Sequence, residues 1–382
     1  MRTVLAESRP PGFMDNQTFS RPKLGFLGVG WIGRNRLEAI ANSGLADVTA
    51  IADASPELAA QVARTFPQAA VLTSLDDLME VGVDGIVIAT PSALHAEQAI
   101  SALERGMAIF CQKPLGRTAD ETRRVVDAAR AADRLLGVDL SYRFISGARR
   151  IHDLCQNGEL GEIFAIDLIF HNAYGPDKAW FYDWKLSGGG CVIDLGIHLL
   201  DLVLWNLNFP RVTNVTSRLF AQGNPIHGRG NAVEDYALAR LDLENGATVK
   251  LACSWKLPVG CDAIISASFY GTKGGAALHN VDGSSYDFTA HRFDGAKREM
   301  LAGSPEVWGG RAAVDWAQRL ANGEGFSREI EGVSRVAASL DAIYENSGRT
   351  ERKFESPDGF ADRQPHVHPH YGENLNIHIA DG

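Results

Sequence analysis

Apolar positions in the first third of the chain fall into two alternating rhythms. Short, mainly apolar runs, of the kind buried on both faces of a sheet, lie at residues 23–27, 48–52, 69–72, 85–89, 107–111 and 135–139. Between them, apolar residues recur at helical spacing after residue 33 and at 56–66, 74–81, 92–105 and 119–134. Pro56 suits a first helical turn, and Ser74 with Asp76 and Asp77 behind it reads as an N-cap. Strand and helix alternate throughout, which predicts a parallel, doubly wound sheet.

The rhythm changes near Gly161. Residues 163–171 alternate in part, as an antiparallel strand does, and Gly188, Gly189 and Gly190 lead into an apolar helix that runs through Leu207. Strand-like runs follow at 211–221, 235–243, 247–255, 263–270 and 285–293, with Glu244-Asn245-Gly246 joining two of them as a hairpin. The second half therefore reads as an open, mainly antiparallel sheet with a helix against it. Helices return at 305–321 and 330–345, the last placed to pack back on the first domain. The resulting expectation is an arm at 1–22, a nucleotide-binding domain at 23–142, a substrate and oligomerisation domain at 143–355 and a polar tail at 356–382.

Bulk properties narrow the classes. The 382 residues are 45% hydrophobic and 22% charged, enough for two ordinary domains with real cores. A net charge of −10 argues against nucleic-acid binding through a basic face. No apolar run reads as a membrane span, and the first residues lack an apolar signal core. Five scattered cysteines without a C-x-x-C pair point to reduced thiols and a cytoplasmic protein. The tail carries His366, His368, His370 and His378, but no cysteine or acid cluster accompanies them. A solvated tail or an arm on a neighbouring subunit is expected there, and no metal site.

Chemistry enters at the first turn. Gly28-Val29-Gly30-Trp31-Ile32-Gly33 is a G-x-G-x-x-G pattern between a strand and a helix. Gly28 permits the tight turn, Gly30 lets the backbone approach a diphosphate, and Gly33 allows close helix–strand packing. Free N–H groups at the helix start, Trp31 and Ile32 among them, would hold the anion. Asp53 ends the second strand, 20 residues after Gly33, near the offset of a ribose-binding carboxylate. That acid would repel a 2′-phosphate, so the cofactor expected is NAD rather than NADP.

Three further stretches follow strand ends or a glycine run. Thr90 and Pro91 close the strand at 85–89; Thr90 can donate to cofactor oxygens, and His95 either faces the dinucleotide or is a polar residue on a first helical turn. Cys111-Gln112-Lys113-Pro114 puts a lysine at the mouth of the crevice, where a cationic nicotinamide would disfavour its ammonium. Asp194 and His198 are spaced i, i+4, so one helix face carries both, and the carboxylate would orient the imidazole as a base. Asp201, three residues beyond His198, is an alternative acid for the same partner. Tyr142, Arg143, His171, Tyr174, Trp180 and Lys185 sit on loops or strand ends expected to face the substrate, although such aromatics are as often core or interface.

At these residues the chain resembles the glucose–fructose oxidoreductase / inositol dehydrogenase / rhizopine-catabolism (Gfo/Idh/MocA) family. GVGWIG, TPSALH, QKP and GGGCVIDLGIH match in order, with Tyr142-Arg143-Phe144 after the sixth strand. The resemblance implies a Rossmann domain, a C-terminal α/β domain whose open sheet forms subunit contacts in a homo-oligomer, and NAD(P)-dependent hydride transfer with a secondary alcohol of a sugar or cyclitol. It also implies that Lys113 matches the catalytic lysine, and Asp194 and His198 the aspartate–histidine pair. Gln112 departs from the usual glutamate, which would make Lys113 hold its proton less firmly. Two other outcomes stay open within the family: transient NAD use in glycoside cleavage, and non-catalytic NAD sensing, against which Lys113, Asp194 and His198 argue.

Overall fold

A computed structural model of the chain describes residues 21–230 and 232–348. The expected arm up to residue 20 and the histidine tail lie outside the described residues.

The first layer is laid down as β1 (Lys23–Leu27), α1 (Trp31–Ser43), β2 (Asp47–Ala52), α2 (Pro56–Ala63), β3 (Ala70–Leu72), α3 (Leu75–Glu80), β4 (Gly85–Ile88), α4 (Ser92–Glu104), β5 (Ala108–Cys111), α5 (Ala119–Ala132) and β6 (Leu136–Val138). The strands pair in parallel in the order β3-β2-β1-β4-β5-β6. Strand order reverses between β1 and β4, so the loops after these two strands diverge and open a crevice. Ser55, Ser74 and Thr118 cap α2, α3 and α5 by accepting from the N–H groups of Leu58, Asp77 and Glu121.

The second layer contains α6 (Ser146–Gln156), β7 (Ile163–Asn172), α7 (Trp184–Ser187), α8 (Ile197–Asn206), β8 (Val212–Ala221), β9 (Asn224–Ile226), β10 (Tyr236–Leu243), β11 (Thr248–Ser254), β12 (Ala263–Gly271), β13 (Gly275–Asn280), β14 (Phe288–Asp294) and β15 (Lys297–Ala302). They form a nine-stranded open sheet, β15-β14-β13-β12-β7-β11-β10-β8-β9, antiparallel except where β7 meets β11. Sequence pattern passed over β13, whose GAALHN is too small and uniform to alternate, and β15, a polar edge strand. It also passed over α6, where charged residues mask a buried stripe of Ala148, Ile151 and Leu154.

Two helices close the described residues, α9 (Arg311–Ala321) and α10 (Gly332–Glu345). Ala313, Trp316 and Ala317 of α9 are buried with Leu24, Phe26, Ile40 and Val87 of the first layer. Trp316 lies 5.8 Å from the Phe110 ring. In packing terms α9 therefore goes with residues 23–142, not with the 143–355 body in which it was expected. Helix α10 lies against α5 of the first layer, as anticipated, and also against α8. One stretch, Trp184–Asn206, has a membrane-like mean hydropathy of 1.5, but its most apolar window is 83% buried inside the fold. Its helical part, the π turn at Val192–Gly196 and α8, is core structure covering the inner face of the large sheet.

Candidate active site

The glycine turn is a cradle shaped by backbone. Gly28 sits at φ +83°, and a Cβ there would meet the Ala89 backbone at 2.7 Å. A Cβ on Gly33 would lie 2.0 Å from the Gly28 carbonyl oxygen. Gly30 faces open space, with no atom within 4 Å of where its Cβ would be. Helix α1 begins here with no side-chain cap, so its first N–H groups stay open to an anion. Asp53 holds the turn from the side: Oδ2 accepts from the Val29 N–H at 2.8 Å and Oδ1 from the Ser55 N–H at 2.9 Å. Each carboxylate oxygen keeps further acceptor capacity for a ribose hydroxyl. These features fit a dinucleotide.

The cradle opens into a cavity of about 840 Å³. Gly30, Trp31, Ile32, Gly33, Thr90, Pro91, His95, Gln112 and Lys113 line it from the first layer. Trp180, Phe181, Gly189, Ile193 and Asp194 line it from the second. At the junction Lys113 Nζ donates to Asp194 Oδ1 at 2.6 Å and to the Asp194 carbonyl at 2.7 Å. An ammonium carries three N–H groups, so one remains for a ligand.

Asp194 was expected to orient His198, and it does not. Val192–Gly196 forms a π-helical turn before α8, and this wider turn rotates Asp194 off the i, i+4 face. Its carboxylate bonds Lys113 through Oδ1 and the Trp255 indole N–H through Oδ2 at 3.1 Å. His198 is steadied by stacking on buried Tyr142, with ring centroids 4.6 Å apart. Its Nδ1 is enclosed without a partner among the described residues. Burial first, then the Lys113 and Arg36 cations, holds the His198 imidazole well below its usual range. It is therefore neutral at pH 7, and the same burial and cations oppose its protonation in the resting protein; it stands behind Asp194 rather than in the cavity lining.

Other expectations are corrected. Asp201 does not compete for His198: it accepts a two-point pair from Arg143, 2.7 Å from Nε and 2.5 Å from Nη2, and is buried. That pairing takes Arg143 out of the substrate wall. His171 bonds Ser254 Oγ at 2.8 Å on the sheet face opposite buried Ile166, Leu168 and Phe170. Strand period two thus points it away from the crevice. Tyr174 donates to Asp262 at 2.8 Å, Lys185 is exposed, and neither lines the cavity. The Thr90 hydroxyl proton is committed to Gln98 Oε1 at 2.6 Å. Both His95 ring nitrogens lie 2.7 Å from backbone carbonyls, of Thr90 and Pro114. A neutral ring carries one N–H, so His95 donates to one of these carbonyls and is packed between two crevice loops in the cavity wall.

Several supporting residues carried no local signal. Glu234 is buried, and its Oε1 accepts from the N–H groups of Gly190 and Val192 and from the Tyr344 hydroxyl. It pins the glycine run that carries Asp194. Arg36 reaches from α1 to Asp139 at 2.6 Å, and Gln112 donates to the same carboxylate. The negative charge missing at position 112 thus stands one hydrogen bond away, neutralised by Arg36.

Comparison with known proteins agrees with this fold. Residues 23–140 match the model of the oxidoreductase family with an NAD-binding Rossmann fold, and residues 148–277 match the GFO/IDH/MocA C-terminal domain. The D-glucoside 3-dehydrogenase of Escherichia coli is 28% identical over 277 residues, 70% of this chain and 75% of that protein. The rhizopine catabolism protein MocA of Rhizobium meliloti is 29% identical over 67% of this chain and 77% of its own. The inositol 2-dehydrogenase/D-chiro-inositol 3-dehydrogenase of Shouchella clausii is 26% identical over 86% and 98%. In fold, the chain is similar to levoglucosan dehydrogenase solved with NADH and levoglucosan, with a TM-score of 0.73 at 22% identity over 85% of this chain and 97% of that one. A 3-ketoreductase from Actinomadura kijaniata solved with NADP gives a TM-score of 0.71 at 23% identity, over 85% and 97%. The chain belongs to the Gfo/Idh/MocA family and is an NAD-binding dehydrogenase with a Rossmann domain and a large, mainly antiparallel C-terminal sheet.

Proposed function

We propose that the chain transfers a hydride between NAD and a secondary alcohol of a sugar, sugar derivative or cyclitol, with Lys113 and His198 acting on the alcohol oxygen. The observation that carries this reading is the 2.6 Å contact of Lys113 with Asp194, made in the wall of the cavity that also holds the open N-terminus of α1. When bound, the nicotinamide supplies the hydride acceptor. The third Lys113 N–H donates to the substrate oxygen and stabilises the charge that develops there. Neutral His198 takes the hydroxyl proton as the carbon–hydrogen bond is lost, and the product is a ketone. Asp194 holds Lys113 in place, and Tyr142 holds the His198 ring. Trp180, stacked 3.8 Å from Phe181 in the cavity wall, offers an aromatic face to a sugar ring.

A screen of polyols, aldoses and inositols, read by NAD reduction, tests the reading. Turnover that is lost in Lys113→Ala supports it; turnover unchanged by that substitution overturns it. Net NADH release also separates this chemistry from transient NAD use in glycoside cleavage. Asp53 favours NAD over NADP, to be checked by parallel titrations. Leu238, Ile264 and Tyr270 stand exposed on the outer face of the large sheet and supply an apolar surface for a second copy. Sedimentation of wild type against Tyr270→Glu reads that contact.

A further inference from the structure

Asp194 has two carboxylate oxygens, and the proposed reaction uses only the one that faces Lys113. The other is taken by Trp255, which follows β11 and is 3% exposed. We propose that Trp255 is a positioning residue: its indole N–H fixes the Asp194 carboxylate so that Lys113 stays aimed at the substrate oxygen, and its ring ties that carboxylate to the loop over the crevice. This rests on the reading of Lys113 and Asp194 given above.

Geometry supports both halves. The Trp255 N–H meets Asp194 Oδ2 at 3.1 Å, while Lys113 occupies Oδ1 at 2.6 Å. A carboxylate held at one oxygen swings about its own bond; held at both, it has one orientation. The Trp255 main-chain N–H is itself anchored on the Asp235 carbonyl at 2.7 Å. On its far side the indole meets Phe181 and Tyr182 edge to face, at 6.3 Å and 5.8 Å. Phe181 lines the cavity, and Tyr182 donates to the Pro176 carbonyl, also in the cavity wall. Lys256, the next residue, places Nζ 4.6 Å from the Tyr182 ring centroid. The end of β11 therefore grips the loop with its aromatic surface and the carboxylate with its N–H.

The two functions separate by substitution. Trp255→Phe keeps an aromatic ring against the loop and deletes the donor. Kinetics are read on the alcohol that the polyol screen yields. The expected result is a fall in kcat of roughly 10–100-fold, the fold-change of a hydrogen bond to a charged group, with KM and the dissociation constant of NADH within about twofold. Phe181→Leu, which loosens the loop and leaves the N–H, raises KM with kcat largely kept. Equal kcat in Trp255→Phe and wild type overturns the proposal, as does a parallel change in kcat and KM. A second arm needs no turnover and still decides if the proposed reaction fails or the Phe variant does not fold. In protein labelled with 15N at indole nitrogens, Asp194→Ala shifts the Trp255 N–H resonance upfield while NADH binding shows the fold intact. A resonance that does not move overturns the hydrogen bond.

Discussion

The two walls of the crevice are built by different rules. The nucleotide wall is six consecutive residues, Gly28 to Gly33, in which backbone does the work: Gly28 and Gly33 answer to close steric limits, and Gly30 leaves open space for a ligand. The chemical wall presents Lys113 from the first layer and Asp194 from the π turn, and is backed by His198 of α8, Trp255 from the end of β11 and Glu234 from just before β10. In the first wall, one short run of sequence supplies the whole cradle, and Ala89 and Asp53 brace it. In the second, packing selects the partner, and the nearest residue along the helix is not the one chosen.

The sharpest break of that comparison is at Lys113. Lys113→Ala removes the donor to the substrate oxygen and leaves Asp194 without its cation. Turnover is expected to fall by about 10³-fold, within the range for positioned proton chemistry. NADH affinity, measured by calorimetry, stays within a few-fold because the nucleotide wall is local. A comparable loss of NADH binding would merge the two walls. Next is Glu234→Ala. It strands the Gly190 and Val192 N–H groups and the Tyr344 hydroxyl, buried donors that each cost about 1–3 kcal/mol when left unpaired. The denaturant midpoint drops accordingly, and Glu234→Gln, which keeps an acceptor, loses less.

The cofactor side answers differently. Gly30 has room for a Cβ in the structure, so Gly30→Ala folds with an unchanged melting temperature. The added methyl instead occupies the space where a diphosphate approaches, and NADH affinity falls about tenfold, roughly 1.4 kcal/mol. A loss of stability with affinity intact would show that the cradle is only structural.

This contrast explains what was legible. The Rossmann layer was readable to within a few residues because buried strands, capped helices and φ-positive glycines are local properties. Asp194 and His198 were identified as residues, yet their pairing was misread. A π turn leaves no mark in i, i+4 spacing, and the competing partner lay 81 residues away. Arg143 shows the same limit: it was placed among residues expected to face the substrate, and the acid it pairs with, Asp201, lies 58 residues away. Glu234 and Trp255 gave no signal, since an isolated acid and an isolated indole gain meaning only from what the fold sets beside them.

The smallest expected effect isolates the chemical wall by its titration. The imidazole of His198 is held below its usual value by burial and by the Lys113 and Arg36 cations, while an unfolded histidine takes a proton near pH 6.5. Between the folded and unfolded values the unfolded chain binds more protons, so stability rises with pH across that window. The contribution is complete above about pH 6.5 and is lost as pH falls through the folded value, with a slope of at most about 1.4 kcal/mol per pH unit. His95, lowered chiefly by burial, adds a slope of the same sign. The reading is therefore a difference. His198→Phe keeps a ring on Tyr142 and removes the titrating group, so its stability between pH 7.5 and 5.5 falls less steeply than that of wild type. Gly30→Ala, with nothing titratable altered, keeps the wild-type slope. Identical slopes for His198→Phe and wild type would show that His198 is charged as readily in the fold as out of it, and with that the neutral proton acceptor on the chemical wall would be gone.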